Sequence, residues 1–315
     1  MTPPADHLPL RARAAIAAGR TVASASKIAN MGSGSVIGGR LSLALDGDLL
    51  AELARGREVA LVSATNGKTT TTHLLTTALS RHGPVVSNSL GANMPPGIVA
   101  ALGEADPAAR AVLEVDERWL PEVMRSVGPA TVLVLNLSRD QLDRSHEVRK
   151  IADTWREALR DIPSTRVVAN ADDPLVVWAA SAAPTVIWVG TAAHWTSDAG
   201  GCPSCGGRIS FVPATDPSTE ASTNVDDATG ATARTDSWHC TQCAFAKPDP
   251  DWWLDGASVV AHRDGTRLPL DLALPGRVNA ANAAMVIAAA VAMGADPQRS
   301  VTALNTVTDL SLIHI

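Results

Sequence analysis

The stretch LVSATNGKTTTTHLL, residues 61–75, contains side chains that could bind a nucleoside triphosphate. An apolar run precedes its Gly-Lys-Thr step and a helical pattern follows. In this context the loop's backbone N–H groups bind phosphate oxygens, the lysine contacts the β- and γ-phosphates, and a hydroxyl binds Mg²⁺. We therefore assign nucleotide binding to Thr65, Asn66, Gly67, Lys68, Thr69 and Thr70.

The same stretch departs from the general P-loop pattern G-x-x-x-x-G-K-[ST], because Val62 stands at the first glycine position. The alternative interpretation is a tight turn followed by a helix cap. Four consecutive threonines, residues 69–72, are poor helix formers that a purely structural helix start would rarely contain. This composition favours the nucleotide interpretation.

A carboxylate at the end of a neighbouring strand is the second ligand that Mg²⁺ requires beside such a loop. Glu114 ends the apolar run ARAVLEV, so we expect Glu114 and Thr69 to bind Mg²⁺, and Lys68 and Glu114 to act in catalysis. Asp116 and Glu117 follow and are expected to be solvated. Guanine specificity is not supported, since Leu137 follows Asn136 where an N-K-x-D motif has lysine.

Two C-x-x-C pairs predict a zinc site formed by Cys202, Cys205, Cys240 and Cys243. Paired knuckles supply four thiolates for tetrahedral Zn²⁺, as in a closed structural site. The gap between the pairs exceeds the usual spacing because it contains a polar, low-complexity insertion. Redox-active cysteines and buried free thiols are the alternative interpretations.

Short apolar runs alternate with helical patterns from residue 57 onward, which predicts an α/β fold with a mostly parallel sheet flanked by helices. Helices are expected at 11–27, 68–81, 98–102, 119–127 and 149–161. We expect a short N-terminal segment (1–55) and one ATP-binding domain (56–310), interrupted by a zinc ribbon insertion (200–246). The pattern resumes near Val259, and the glycines at 32, 34 and 38 predict a connector or turn.

Composition limits the function classes. The net charge of −6 provides no basic surface for nucleic acid. The N-terminus lacks the apolar segment of a secretory signal, and the longest apolar helical stretch, from Ala280, is shorter than the ~18 residues of a membrane span. We expect a soluble, cytoplasmic protein.

Several motifs resemble those of the Mur ligase superfamily. SATNGKTTT is similar to its phosphate loop TGTNGKTTT, with Ala64 in place of a glycine. NADDP (170–174) and LPGRVNAANAAMVIAAA (274–290) resemble later segments, the last of which implies adenine contacts from Asn279 and Asn282. The resemblance implies ATP-dependent ligation of an amine to a carboxylate through an acyl-phosphate.

Within the superfamily, the chain resembles the MurT family of lipid II isoglutaminyl synthase subunits in three details. These are the GANM loop (88–102), where Asn93 is implied to contact substrate, the four-cysteine insertion and the short N-terminal segment. The resemblance implies amidation of the D-glutamate α-carboxylate of lipid II to D-isoglutamine in peptidoglycan biosynthesis. It implies ATP, Mg²⁺ and Zn²⁺, ammonia from a GatD-like glutaminase, and a working place at the inner face of the cell membrane.

Departures from the family patterns give further expectations. Gln141 stands where the stem-peptide ligases have a histidine metal ligand, and no carbamylated lysine is evident, so a second Mg²⁺ is not expected. The family's C-terminal domain is absent from these residues, so we expect little activity from this chain alone. Ala64 adds a methyl group to the loop, and we expect weakened ATP binding that Ala64→Gly would restore.

Two alternatives stay open on the sequence. The first is another amide ligase of the superfamily, of the folylpolyglutamate synthase type. The GANM loop and the cysteine insertion argue against it. A zinc-ribbon ATPase that binds nucleic acid would need a basic surface, which the negative net charge does not favour.

Overall fold

The computed structural model describes residues 8–28, 35–88, 92–138, 145–191, 200–212, 237–255, 259–262 and 265–308. The helices are α1 (Leu10–Ile28), α2 (Ser35–Leu45), α3 (Leu49–Ala54), α4 (Lys68–Ser80), α5 (Pro95–Glu104), α6 (Leu120–Val127), α7 (Ser145–Arg160), α8 (Pro174–Ala180), α9 (Arg277–Ala292) and α10 (Pro297–Leu304). The strands are β1 (Val59–Ser63), β2 (Val85–Ser87), β3 (Arg110–Glu114), β4 (Thr131–Val134), β5 (Arg166–Asn170), β6 (Val186–Gly190), β7 (Ile209–Val212), β8 (Ser237–Cys240), β9 (Trp252–Asp255), β10 (Val259–His262) and β11 (Arg267–Pro269).

Among the described residues, nine strands form one sheet in the order β11-β10-β9-β6-β5-β4-β1-β3-β2. Within this sheet, all neighbouring strands from β9 through β6, β5, β4, β1 and β3 to β2 pair in parallel. The β9–β10 and β10–β11 pairs are antiparallel. The predicted α/β class with a mostly parallel sheet is confirmed. Since the carboxyl ends of parallel strands meet at one edge, the loops after β1, β3, β4 and β5 are brought together there.

Helices cover both faces of the sheet, and strand residues alternate between two apolar cores. Ala60 and Val62 pack with α4, α9 and α10, whereas Val59 and Leu61 pack with the other helices. Helix α9 is apolar on nearly all sides because it lies buried within the first core. Among the residues that the structure describes, no helix has the length and apolarity needed to cross a membrane.

Three expectations about local structure need correction. Gly38 is not in a connector, because it lies inside α2; a Cβ there would lie 2.5 Å from the Gly19 carbonyl oxygen, so glycine permits close packing of α1 and α2. Gly32 and Gly34 lie outside the described residues.

The strand pattern resumes at β9 rather than near Val259, since Trp252 and Leu254 are buried with a period of two. Helix α5 begins at Pro95, where a first-turn proline is favoured.

The two cysteine pairs lie in a small module beside the main sheet. Its strands β7 and β8 form a separate antiparallel pair. The polar insertion at 213–236 lies outside the described residues. The domain boundaries expected from the sequence stay predictions.

Candidate nucleotide site and metal centre

The loop between β1 and α4 has the backbone geometry of a phosphate-binding turn. Gly67 caps α4 with a left-handed φ of 85°, and Lys68 is the first helical residue. A Cβ on Gly67 would lie 3.2 Å from the Asn282 amide nitrogen, so α9 packs directly on this loop. The predicted residues Thr65 to Thr70 are thus gathered at the positive end of a helix, where anions bind.

The loop is held in place by two residues that follow β4. The Asn136 side chain accepts from the Asn66 N–H (2.9 Å) and donates to the Asn66 carbonyl (2.8 Å). The Asn66 amide donates to the Ser138 hydroxyl (3.0 Å), and the Ser138 N–H donates to the Thr65 hydroxyl (3.1 Å). Neither residue was assigned a positioning role from the sequence, although both follow a strand beside β1 and this place was a usable signal.

The Lys68 ammonium is fully occupied by its own surroundings. It donates to the carbonyls of Ala64 and Thr65 and lies 3.2 Å from a Glu117 carboxylate oxygen. The Lys68 and Glu117 side chains are 13% and 15% exposed. The expectation that Glu117 is a solvated charge is wrong, because β3 neighbours β1 and places this carboxylate against the phosphate loop.

Glu114 has the environment of a metal ligand. Its side chain is buried, Oε1 lies 3.4 Å from the Asn93 amide nitrogen, and Oε2 has no hydrogen-bond partner among the described residues. A buried carboxylate oxygen without a partner is costly unless a cation or donor completes it. Glu114 therefore fits the Mg²⁺ ligand expected from the sequence, whereas the part of Thr69 in that site stays a prediction.

Asn93 extends this cluster toward the GANM loop. Its carbonyl accepts from the Asp116 N–H (2.9 Å), and its amide approaches Glu114. Residues 89–91 of the loop lie outside the described residues, as do Asp140, Gln141 and Asp143 of the DQLDR motif. The role of Asn93 in substrate binding stays a prediction.

A cavity of about 450 Å³ adjoins the phosphate loop. Residues from the loop, the ends of β4, β5 and β6, and α9 line it: Asn66, Leu135, Asn136, Ser138, Asn170, Asp172, Asp173, Thr191, Arg277, Val278, Ala281, Asn282 and Met285. The Asn282 amide nitrogen is buried without a hydrogen-bond partner among described residues, which fits an unsatisfied donor facing a ligand. Asn279 is partly buried, is not among the residues that line the cavity, and donates to the Pro275 carbonyl (2.7 Å); its adenine contact stays a prediction.

Ala64 does not face the phosphate side of the loop. It is fully buried in the apolar core formed with α4 and α9. The expected steric penalty on phosphate binding therefore has no support in the structure, because the methyl group is core packing.

The four cysteines form a compact cluster that fits Zn²⁺. Their sulfur atoms all lie within 4.8 Å of one another, with 3.7 Å between Cys202 and Cys243 and 3.5 Å between Cys205 and Cys240. Zn–S bonds of about 2.3 Å place the sulfurs of a tetrahedron ~3.8 Å apart. The two separate C-x-x-C pairs are thus brought together as predicted.

Backbone donors support the thiolate form in this cluster. The Gly207 N–H donates to Cys205 Sγ and the Gln242 N–H to Cys240 Sγ, both at 3.4 Å. The Gln242 N–H lowers the pKa of the Cys240 thiol to about 7, whereas burial raises the pKa of the Cys202 thiol. Against the lowering effect of the Gly207 N–H, hydrogen bonds with Cys243 and Cys240 raise the pKa of the Cys205 thiol. Thiolates are the form that binds zinc, so zinc binding is expected to release protons from this cluster.

A family model and several known proteins are similar to this chain in sequence. Residues 62–200 match the Mur ligase middle domain. The chain is 29% identical over 288 residues to subunit MurT of lipid II isoglutaminyl synthase (glutamine-hydrolyzing) from Streptococcus pneumoniae, covering 86% of this chain and 61% of that protein. It is 31% identical over 189 residues to the MurT subunit from Staphylococcus aureus (strain COL), covering 56% and 43%. The chain thus spans less than two thirds of the length of both relatives.

Solved structures share the fold. A pseudomurein peptide ligase type C from Methanothermus fervidus superposes with a TM-score of 0.59 at 20% identity, over 81% of this chain and 50% of that chain. MurF from Acinetobacter baumannii superposes with a TM-score of 0.56 at 18% identity, over 86% and 50%. At these identities the likeness concerns the fold alone.

Proposed function

We propose that the chain is the ATP-binding part of a lipid II amidating ligase, a proposal that starts from the match of residues 62–200 to the Mur ligase middle domain. The substrate is the D-glutamate α-carboxylate of lipid II, and the product is D-isoglutamine. The similarity to MurT subunits over 86% of the chain carries this proposal. The phosphate loop, the buried Glu114 and the adjoining cavity support its ATP-dependent part.

The proposed reaction has two steps. A carboxylate oxygen of the substrate attacks the γ-phosphorus of ATP, and ADP leaves to give an acyl-phosphate. Ammonia then attacks the carbonyl carbon, and phosphate leaves as the nitrogen loses a proton. Positioning and neutralisation of charge are most of what such phosphoryl transfer requires of a protein.

The residues of this chain have distinct parts in that scheme. The N–H groups at the start of α4 and the Lys68 ammonium bind phosphate oxygens, and Asn136 keeps the loop in shape through Asn66. When ATP binds, Lys68 exchanges its contacts with loop carbonyls and Glu117 for phosphate oxygens. Thr69 and Glu114 would hold Mg²⁺, which supplies charge neutralisation on the phosphates.

The relatives are subunits of a glutamine-hydrolyzing synthase, which points to glutamine as the source of ammonia. We propose that a GatD-like glutaminase subunit releases ammonia from glutamine and delivers it to this site. Because lipid II is a membrane lipid, the working place would be the inner face of the cell membrane.

ATP binding is the first test. Calorimetric titration with ATP and Mg²⁺ is expected to show one site, and Lys68→Ala is expected to raise the Kd at least tenfold because it removes the cation nearest the loop. Arg110→Met serves as control, since the Arg110–Glu58 ion pair (2.7 Å) lies at the amino ends of β3 and β1, opposite the phosphate loop. Equal affinity in Lys68→Ala and the parent would contradict the assignment.

The amidation itself requires the partner. The protein co-produced with a GatD-like glutaminase is incubated with lipid II, ATP and amide-¹⁵N glutamine, and the product is analysed by mass spectrometry. We expect ATP-dependent incorporation of ¹⁵N into lipid II, lost in Glu114→Gln. Glutamate transfer to a folate instead would establish the folylpolyglutamate-type alternative.

A further inference from the structure

A buried ion pair joins the nucleotide cavity to the zinc module, the small unit formed by the four cysteines with β7 and β8. Lys247 belongs to the module, because its N–H donates to the Trp238 carbonyl of β8 (2.9 Å). Its ammonium lies 2.5 Å from Asp172 Oδ1, and the two side chains are only 6% and 8% exposed. Asp172 follows β5 and lines the cavity, so the two parts of the molecule share this pair.

Asp172 in turn organises the cavity wall. Its second carboxylate oxygen accepts from the Thr191 N–H (2.6 Å) and the Thr191 hydroxyl (3.0 Å). Its own N–H donates to Asn170 Oδ1 (2.9 Å). Asn170, Asp172 and Thr191 all line the cavity, so a displaced Asp172 carboxylate would change the wall that a ligand meets.

Apolar packing joins the same two parts. Trp238 is buried among Cys202, Cys240 and Ile209 of the module and Val177 of α8. Its indole N–H donates to the Ala171 carbonyl, one residue before Asp172 (3.0 Å). The side chain that packs on the cysteine cluster therefore also fixes the backbone of the cavity wall.

We propose that Lys247 is a positioning residue of the nucleotide cavity, and that zinc binding at the cysteine cluster and nucleotide binding are energetically coupled through Lys247 and Asp172. This inference rests on the proposed nucleotide binding. A buried carboxylate beside an anionic ligand repels it unless a cation neutralises it, and Lys247 supplies that cation. A two-stranded sheet is marginal by itself, so zinc holds β8 and thereby Lys247 in place.

The first test changes the ion pair. In zinc-loaded protein, Lys247→Met is expected to raise the Kd for ATP with Mg²⁺ about tenfold, which is ~1.4 kcal/mol of binding free energy. Adding Asp172→Asn to Lys247→Met is expected to recover part of the affinity, since the unpaired carboxylate is gone. Arg110→Met, which also breaks a partly buried ion pair, is expected to leave the Kd unchanged.

The second test removes zinc and determines whether its effect on ATP binding depends on the Lys247–Asp172 ion pair. Cys205→Ser is expected to abolish zinc binding, measured by elemental analysis, and to raise the ATP Kd about as much as Lys247→Met. The variant Cys205→Ser/Lys247→Met is expected to equal either single variant rather than multiply their effects, because both act through Asp172. Far-UV circular dichroism confirms that each variant is folded at the assay temperature. If Cys205→Ser fails to fold, a zinc-selective chelator on the parent and on Lys247→Met replaces it.

The outcomes separate this inference from the proposed function. A parent protein that does not bind ATP refutes the proposed function. A parent that binds ATP, with Lys247→Met unchanged in Kd, refutes only the positioning role. Two results would refute the coupling. One is a double variant in which the two increases in the ATP Kd multiply, and the other is a folded, zinc-free protein whose ATP Kd is unchanged.

Discussion

In the phosphate loop, the sequence motif assigned a role to single residues but not the contacts that these residues make. Lys68 was assigned from its motif, and the structure gives it Glu117 as a partner at 3.2 Å. The motif itself says nothing about Glu117, which is 49 residues away in the chain. The pairing exists because β3 lies beside β1.

Ala64→Gly provides a prediction at the residue scale. Because the Ala64 methyl group is fully buried in the apolar core, its removal is expected to lower the free energy of unfolding by about 1 kcal/mol and to leave the ATP Kd unchanged. Urea denaturation and calorimetric titration measure the two quantities. Tighter ATP binding by the glycine variant would instead support the expectation that the Ala64 methyl group weakens ATP binding.

At the element scale, glycines allow the N-terminal helices to pack closely. A Cβ on Gly39 of α2 would lie 1.9 Å from the Pro96 carbonyl oxygen of α5, and one on Gly19 of α1 would lie 2.7 Å from the Gly38 carbonyl oxygen of α2. Backbone atoms cannot move aside as a flexible side chain does. These glycines are therefore determinants of how α1, α2 and α5 are arranged.

Gly39→Ala tests this arrangement. The added methyl group is expected to push α2 from α5 and to lower the free energy of unfolding by about 1–3 kcal/mol. Gly47→Ala is the matched control, because a Cβ at Gly47 meets no atom within 4 Å. Equal stability of the two variants in chemical denaturation would contradict the packing explanation.

At the scale of the whole molecule, two units of different size depend on different forces. The nine-stranded sheet is stabilised by two large apolar cores. The zinc module has two strands and one small cluster around Trp238. Apolar burial suffices for the first unit, whereas we expect the second to depend on a metal ion bound by its four cysteines.

Zinc removal tests that division by hydrogen exchange. Chelation is expected to raise amide exchange in β7 and β8 and around Asp172, and to leave β1 and β4 protected. Reloading with Zn²⁺ is the control and is expected to restore protection. An equal rise in β1 and β4 would mean that the sheet itself depends on zinc.

The fold class, the strand–loop–helix order around the Gly-Lys-Thr step and the grouping of the four cysteines could all be predicted from the sequence. These features are local: continuous apolar strands, the Gly-Lys-Thr step and the C-x-x-C spacing each express their physics within a few residues. The burial of Glu114 also followed from the sequence, since it ends an apolar strand.

Which distant residues come into contact depends on the three-dimensional arrangement of the elements. The order of strands places Glu117 against Lys68 and Asn136 against Asn66, and helix packing rather than a loop explains Gly38. The contact of Lys247 with Asp172 spans two units of the molecule. Such contacts depend on strand order and on how the zinc module packs, and no local pattern in a single sequence specifies either.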